Sequence, residues 1–176
     1  MTIHYKVSEQ DYINFNIDHY NNMKSQKNKR FVYGVILLMF FFLFLPFLND
    51  NSLSLVEIIS SVFFLIAWFI FFPKIINVFI RKSVREYIKN GKANDFIGNQ
   101  TILLADDYIE TLNATTQSRI QYAAVERICT GNQLFYIYVG SVKALIIPFS
   151  AFENEEIKNS FFEIIHQKTG LNVLAK

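Results

Sequence analysis

The alternation of apolar and polar positions begins at once. Residues 2–7 place Ile3, Tyr5 and Val7 on one side, which predicts a short strand. Ser8, with Asp11 three residues on, has the form of a capping box in which Asp stands for the longer Glu. A helix running from there to about Asn22 sets Ile13, Ile17 and Tyr20 on one face. That face can dock on the C-terminal domain or on a membrane surface.

The pattern then changes from alternating to continuous. Phe31 to Leu48 reads FVYGVILLMFFFLFLPFL, without a charge, close to the ~20 residues that cross a ~30 Å hydrocarbon core as a helix. Pro46 sits near its end, where a lost backbone bond is easily satisfied. A second uncharged run, Ile58 to Phe72, is extended by Leu53, Leu55 and Val56 before it and by Ile75 and Ile76 after it. The polar segment between them, NDNSLS at 49–54, is short enough to require antiparallel neighbours. These runs predict a transmembrane hairpin of two helices.

Orientation follows from the basic residues. Lys24, Lys27, Lys29 and Arg30 precede the first run, Arg81, Lys82, Arg85, Lys89 and Lys92 follow the second, and the turn has none. The positive-inside rule then places both termini in the cytoplasm of a multi-pass protein of a cell membrane. The same nine residues could attract anionic headgroups, but their role as topology determinants explains them without a lipid-specific site. No acidic or histidine residue falls in mid-run, which leaves an ion or proton pathway without support.

Beyond the second run, Ser83 to Asn90 continues as a helix with Gly91 placed to end it. Strand-like segments follow at Thr101 to Leu104, Tyr108 to Leu112, Arg119 to Tyr122, Leu134 to Val139 and Ala144 to Ile147. Turn residues separate them at Asp106 and Asp107, at Asn113 to Gln117, and at Gly140 and Ser141. In Asn154 to Gly170 the apolar Ile157, Phe161, Ile164 and Ile165 recur at helical spacing, and Gly170 is a good stop. The expected soluble part is a small α+β domain: an antiparallel β-meander covered by a C-terminal helix.

The expected organisation is therefore an N-terminal cytoplasmic strand and helix over 1–30, transmembrane helices over 31–48 and 55–76, and an extracytoplasmic turn over 49–54. A basic juxtamembrane helix over 77–95 leads into a cytoplasmic domain over 96–176.

Composition adds little that the pattern does not. The chain is 52% hydrophobic and 18% charged, against about 25% charged in soluble domains, and its nineteen Phe are concentrated between Phe31 and Phe79. A net charge of +2 without a basic arm argues against nucleic acid as partner. The single Cys129 excludes an internal disulfide and a thiolate metal site, and the charged first 30 residues show no signal peptide.

Candidate chemistry is sparse. His4, His19 and His166 lack metal-ligand spacing, and no glycine pattern forms a phosphate cradle. Asp106, Asp107 and Glu110 could form an acid/base or metal group, but a hairpin turn accounts for them. Cys129 reads as a buried structural thiol. No catalytic, cofactor-binding or metal residue is expected, and no cofactor.

The C-terminal half resembles the YcxB-like family of bacterial membrane proteins. The likeness rests on SRIQYAAVERI at 118–128, FYIYVGSVKALIIPFSAF at 135–152 and the closing helix; VSEQDYINFNIDHY at 7–20 and the two apolar runs fit the family's layout. It thus covers nearly the whole chain. The resemblance implies a small sheet domain on a two-helix anchor, with a Trp in many relatives where Tyr122 stands and basic residues often where Phe149 and Ser150 stand. Those replacements remove support for an anion site before the last helix. The expected function is a non-enzymatic, membrane-anchored cytoplasmic interaction module, with the bilayer and a protein partner of the sheet domain as its contacts. The alternatives are a pleckstrin-homology-like lipid or small-ligand sensor, and a transport accessory or bacteriocin-immunity protein.

Overall fold

The computed structural model describes residues 1–22, 32–37, 39–40, 55–140 and 143–175. They divide into two units, one formed by Met1–Asn16 with Val84–Lys176 and the other by Ile17–Ser83.

The first unit contains two four-stranded sheets. One has the order β1-β2-β3-β4, from β1 (Thr2–Val7), β2 (Gly98–Leu104), β3 (Tyr108–Leu112) and β4 (Gln117–Gln121), antiparallel throughout. The other has the order β7-β6-β5-β8, from β5 (Val125–Gly131), β6 (Leu134–Val139), β7 (Lys143–Pro148) and β8 (Val173–Ala175). Here β8 runs parallel to β5, so this sheet is mixed.

The strand expected at 2–7 is present, but its partner lies about a hundred residues away: Thr2 pairs with Leu103 and Val7 with Gly98. The helix α1 (Glu9–Asn22) starts on the expected box, with Asp11 Oδ2 accepting from the Ser8 amide at 2.9 Å and Ser8 Oγ from the Asp11 amide at 3.1 Å. The shorter Asp closes the box as Glu would.

β6 is the centre of the second sheet and is buried on both faces. Phe135 and Ile137 join Ile102, Ile109 and Ile120 of the first sheet in one core, while Tyr136 and Tyr138 join Tyr12 and Phe15 of α1 in another. Phe15 meets Tyr136 at 5.4 Å between ring centroids. With α2 assigned to Leu55–Lys89, the C-terminal helix is α3 (Glu155–Thr169), which closes the first core with fully buried Phe161 and Ile165. Asn154 caps it, Oδ1 accepting from the Ile157 amide at 2.8 Å, and Gly170 ends it at φ +69°.

Three expectations need correction. The single meander is two sheets, and β5 and β8 are absent from the expected strands. In β5 a register shift between Val125 and Arg127 breaks the period of two that would mark it. Most importantly, among the described residues no helix is long and apolar enough to cross a membrane, so the two-helix transmembrane hairpin is not found. Most of the first expected span, 31–48, and the whole turn at 49–54 lie outside the described residues; within that span 32–37 and 39–40 are helical. The second, 55–76, falls inside α2, which continues through Pro73 and Lys74 into a strongly basic stretch. The apolar run ends within this helix, which continues to Lys89, close to the end expected at Asn90 and Gly91.

The β5–β6 hairpin turns through Asn132 and Gln133, at φ 50° and 60°. Both positions demand the left-handed region, which costs an L-residue about 1–2 kcal/mol and suits Gly at the second. Gln133→Gly is therefore expected to stabilise the protein by about 0.5–1 kcal/mol, after the added freedom of the unfolded chain is set against the relief. A higher urea midpoint with an unchanged slope would report it.

Candidate functional site

Two features stand out, one in each unit, and each is built by its own stretch of chain.

In the first unit, the inward face of the four-stranded antiparallel sheet changes character along its length. Strand alternation puts Leu104, Ile102 and Gln100 on one side of β2, and register places Thr111 opposite Ile102, Ser118 opposite Thr111 and Tyr5 opposite Gln100. The Leu104 and Ile109 end is apolar and buried. At the other end the same face carries Tyr5, Gln100, Thr111 and Ser118, where a core would ask for apolar side chains. These four line a cavity of about 230 Å³. Its apolar wall comes from Val7, Phe96, Ile120 and the β7 residues Ala144, Leu145 and Ile146.

Four consecutive β7 residues, Lys143 to Ile146, line the cavity, so the edge of that strand borders it rather than one side-chain face. β7 ends its sheet, and its outer backbone edge has no strand partner. Lys143 and Asp95 add the two charges. Lys143 forms no ion pair among the described residues. Asp95 organises the mouth: its carbonyl accepts from Asn113 Nδ2 at 2.8 Å and Gln100 Nε2 at 3.3 Å, and its Oδ1 from Thr115 Oγ1 at 2.6 Å. Asn113 Oδ1 in turn accepts from the amides of Thr115 and Thr116 at 2.9 and 2.6 Å. The loop is thus fixed by side-chain capping of its own backbone.

Tyr5 is the most informative member. Burial pushes its phenol well above the ordinary tyrosine value, so it is a neutral donor at any physiological pH. It makes no hydrogen bond to another described residue, in contrast to Tyr122, whose hydroxyl donates to the Ala105 carbonyl at 2.9 Å. Partly buried hydroxyls normally find a partner. The lining contains no histidine or cysteine, and it combines charged, hydroxyl and apolar groups suited to holding a ligand.

In the second unit, α2 carries a long series of exposed large apolar side chains. Leu55, Val56, Ile59 and Phe63 are 77, 74, 67 and 73% exposed, and Ile66, Ile70, Phe71, Val78 and Phe79 are also exposed. Such an array is unusual for a surface left to water. Trp68 meets Phe72 at 4.7 Å between ring centroids.

The residues singled out by sequence are mostly dispersed. Lys24, Lys27, Lys29 and Arg30 lie outside the described residues. Arg81, Lys82, Arg85 and Lys89 occupy the last turns of α2, and Lys92 lies in the turn after it. Asp106 faces Lys168 at 3.8 Å, whereas Glu110 binds Arg119 Nε at 2.9 Å on the neighbouring strand. Arg119 first, then Gln117, holds the Glu110 carboxyl below the usual range. His4 bonds Thr101 and His166 bonds the Leu171 carbonyl, each at 2.9 Å. Cys129 is buried. Among the described residues no three His, Cys, Asp or Glu converge on a metal position.

The fold therefore defines a two-sheet α+β domain with a small cavity between its sheets. Within it, residues 104–165 match the family model described as YcxB-like protein, and the chain carries a YcxB-like domain. The match is narrower than the nearly complete likeness expected from sequence, since it leaves out β1, α1 and α2. No curated protein and no solved structure matches the chain.

Proposed function

We propose that the protein is a non-enzymatic interaction module associated with a lipid bilayer through α2. The exposed apolar series from Leu55 to Phe79 is the observation that carries this reading. Aliphatic and aromatic side chains bury favourably in the acyl region, and Arg81, Lys82, Arg85 and Lys89, next along the helix, suit anionic headgroups. The YcxB-like domain is then the part offered to a protein partner, with β4 as an edge strand open to strand addition.

Flotation of the full chain with phosphatidylcholine vesicles, with and without phosphatidylglycerol, tests the lipid contact. The chain is expected to float in both and more completely with the anionic lipid. Phe63→Asp with Ile66→Asp is expected to abolish flotation, because each removes an apolar side chain whose burial is worth about 1.5–3 kcal/mol and puts a charge in its place. Full chain remaining at the bottom of the gradient with both vesicle types would overturn the reading.

A further inference from the structure

The cavity of the first unit is independent of the lipid contact made by α2. Its charges and its unmatched polar groups restrict what it can hold.

A space of about 230 Å³ is ample for a small organic ligand. The apolar wall formed by Val7, Ile120 and Ile146 suits a short branched hydrocarbon group.

The polar lining is more selective still. Lys143 borders the cavity without an acidic partner among the described residues, and Tyr5 brings a neutral hydroxyl that makes no hydrogen bond to them. An ammonium and a phenol together make a carboxylate site, since both donate and neither accepts from an anion. Asp95 also lines the cavity, with Oδ1 taken by Thr115 and Oδ2 making no hydrogen bond among the described residues. An ordinary carboxylic acid would meet this negative charge unfavourably. A ligand with an ammonium close to its carboxylate would use it.

We propose that this cavity binds a small zwitterion of the α-amino-acid type, its carboxylate held by Lys143 and Tyr5, its ammonium by Asp95, and its short side chain against the apolar wall. Ser118 and Thr111 border the site with hydroxyls that can serve either end through water. The edge of β7 borders the same space, so occupancy would stiffen that strand.

The test is calorimetric titration of the purified full chain with L-valine, alongside isovalerate, which lacks the ammonium, and isobutylamine, which lacks the carboxylate. L-valine is expected to bind, and each fragment at least tenfold more weakly. Lys143→Gln and Tyr5→Phe are each expected to weaken valine about tenfold or more. Lys143 is exposed, so Lys143→Gln should fold normally, and unchanged thermal unfolding without ligand would verify that. Chemical-shift changes confined to Tyr5, Thr111, Ser118 and the β7 amides would locate the site. No binding at millimolar valine, isovalerate binding as tightly as valine, or valine binding unaffected by both substitutions would each overturn the proposal.

Discussion

Replacing Phe161 by Ala is expected to remove about 3–5 kcal/mol of stability, a large part of the roughly 5–15 kcal/mol that a domain of this kind has in total. Phe161 is fully buried and is where α3 enters the core. Its ring meets Phe135 of β6 edge-on at 5.7 Å and lies 5.3 Å from Phe152 and 6.2 Å from Phe162, so truncation opens a cavity bordered by three other aromatic rings. Rigid rings collapse poorly into such a space, which puts the cost toward the upper end of the range. Phe161→Leu keeps most of the volume and is expected to cost about 1.5 kcal/mol or less. Urea unfolding followed by circular dichroism, with hydrogen exchange of the β6 amides, would measure both. A loss below about 1 kcal/mol for the Ala variant would mean that α3 is not needed to close the core.

The place of Phe161 is legible in the sequence, because Ile157, Phe161, Ile164 and Ile165 fall on one helical face and Gly170 stands where the chain must turn left-handed. The same holds for Leu134–Val139 and Tyr108–Leu112, whose ends are marked by residues with strong turn preferences. β5 is not legible. Its VERICTG carries a bulge and is buried on alternate sides out of step, so neither the strand period nor the helix period shows in it. Nor does β8 leave a signal, being three residues long and paired in parallel with a strand over forty residues earlier.

The cavity is hidden for a different reason. Polar residues that alternate with apolar ones read as the solvent side of a strand, and Thr111 and Ser118 have that look. They lie, however, two positions from Ile109 and Ile120, and therefore on the buried face. Parity with the apolar neighbour is the available signal. It emerges only once the strand limits are known, since a shift of one residue reverses every assignment. The apolar helix presents the opposite case: its residues are conspicuous in the sequence, and so is its end, since the helix stops at Lys89 and Gly91 follows at φ +71°.

Deleting Met1–Val7 from the full chain is expected to be about as damaging as Phe161→Ala, although the family match does not cover this segment. β1 supplies Ile3 and Val7, 6% and 1% exposed, and covers the edge of β2 along six paired positions. Burying two such side chains is worth about 1.5–3 kcal/mol each, and Tyr5 adds its ring to the same face. Loss of the strand also leaves Ile102 and Leu104 facing water from a newly opened sheet edge, an arrangement prone to edge-to-edge association. A total near 5 kcal/mol would leave the protein marginal or unfolded. Thermal unfolding should lose its cooperative transition or shift it steeply downward, and the β2 and β3 amides should lose exchange protection before those of β6. A synthetic peptide of residues 1–7 added to the truncated chain should restore part of that protection, since it returns the six positions that pair with β2 and the buried Ile3 and Val7. Retention of full cooperativity within about 1 kcal/mol would show that β1 is an accessory to a self-sufficient core. The pairing of Val7 with Gly98 and of Ile3 with Ile102 makes the opposite case: the sheet that frames the cavity is completed by the first seven residues of the chain.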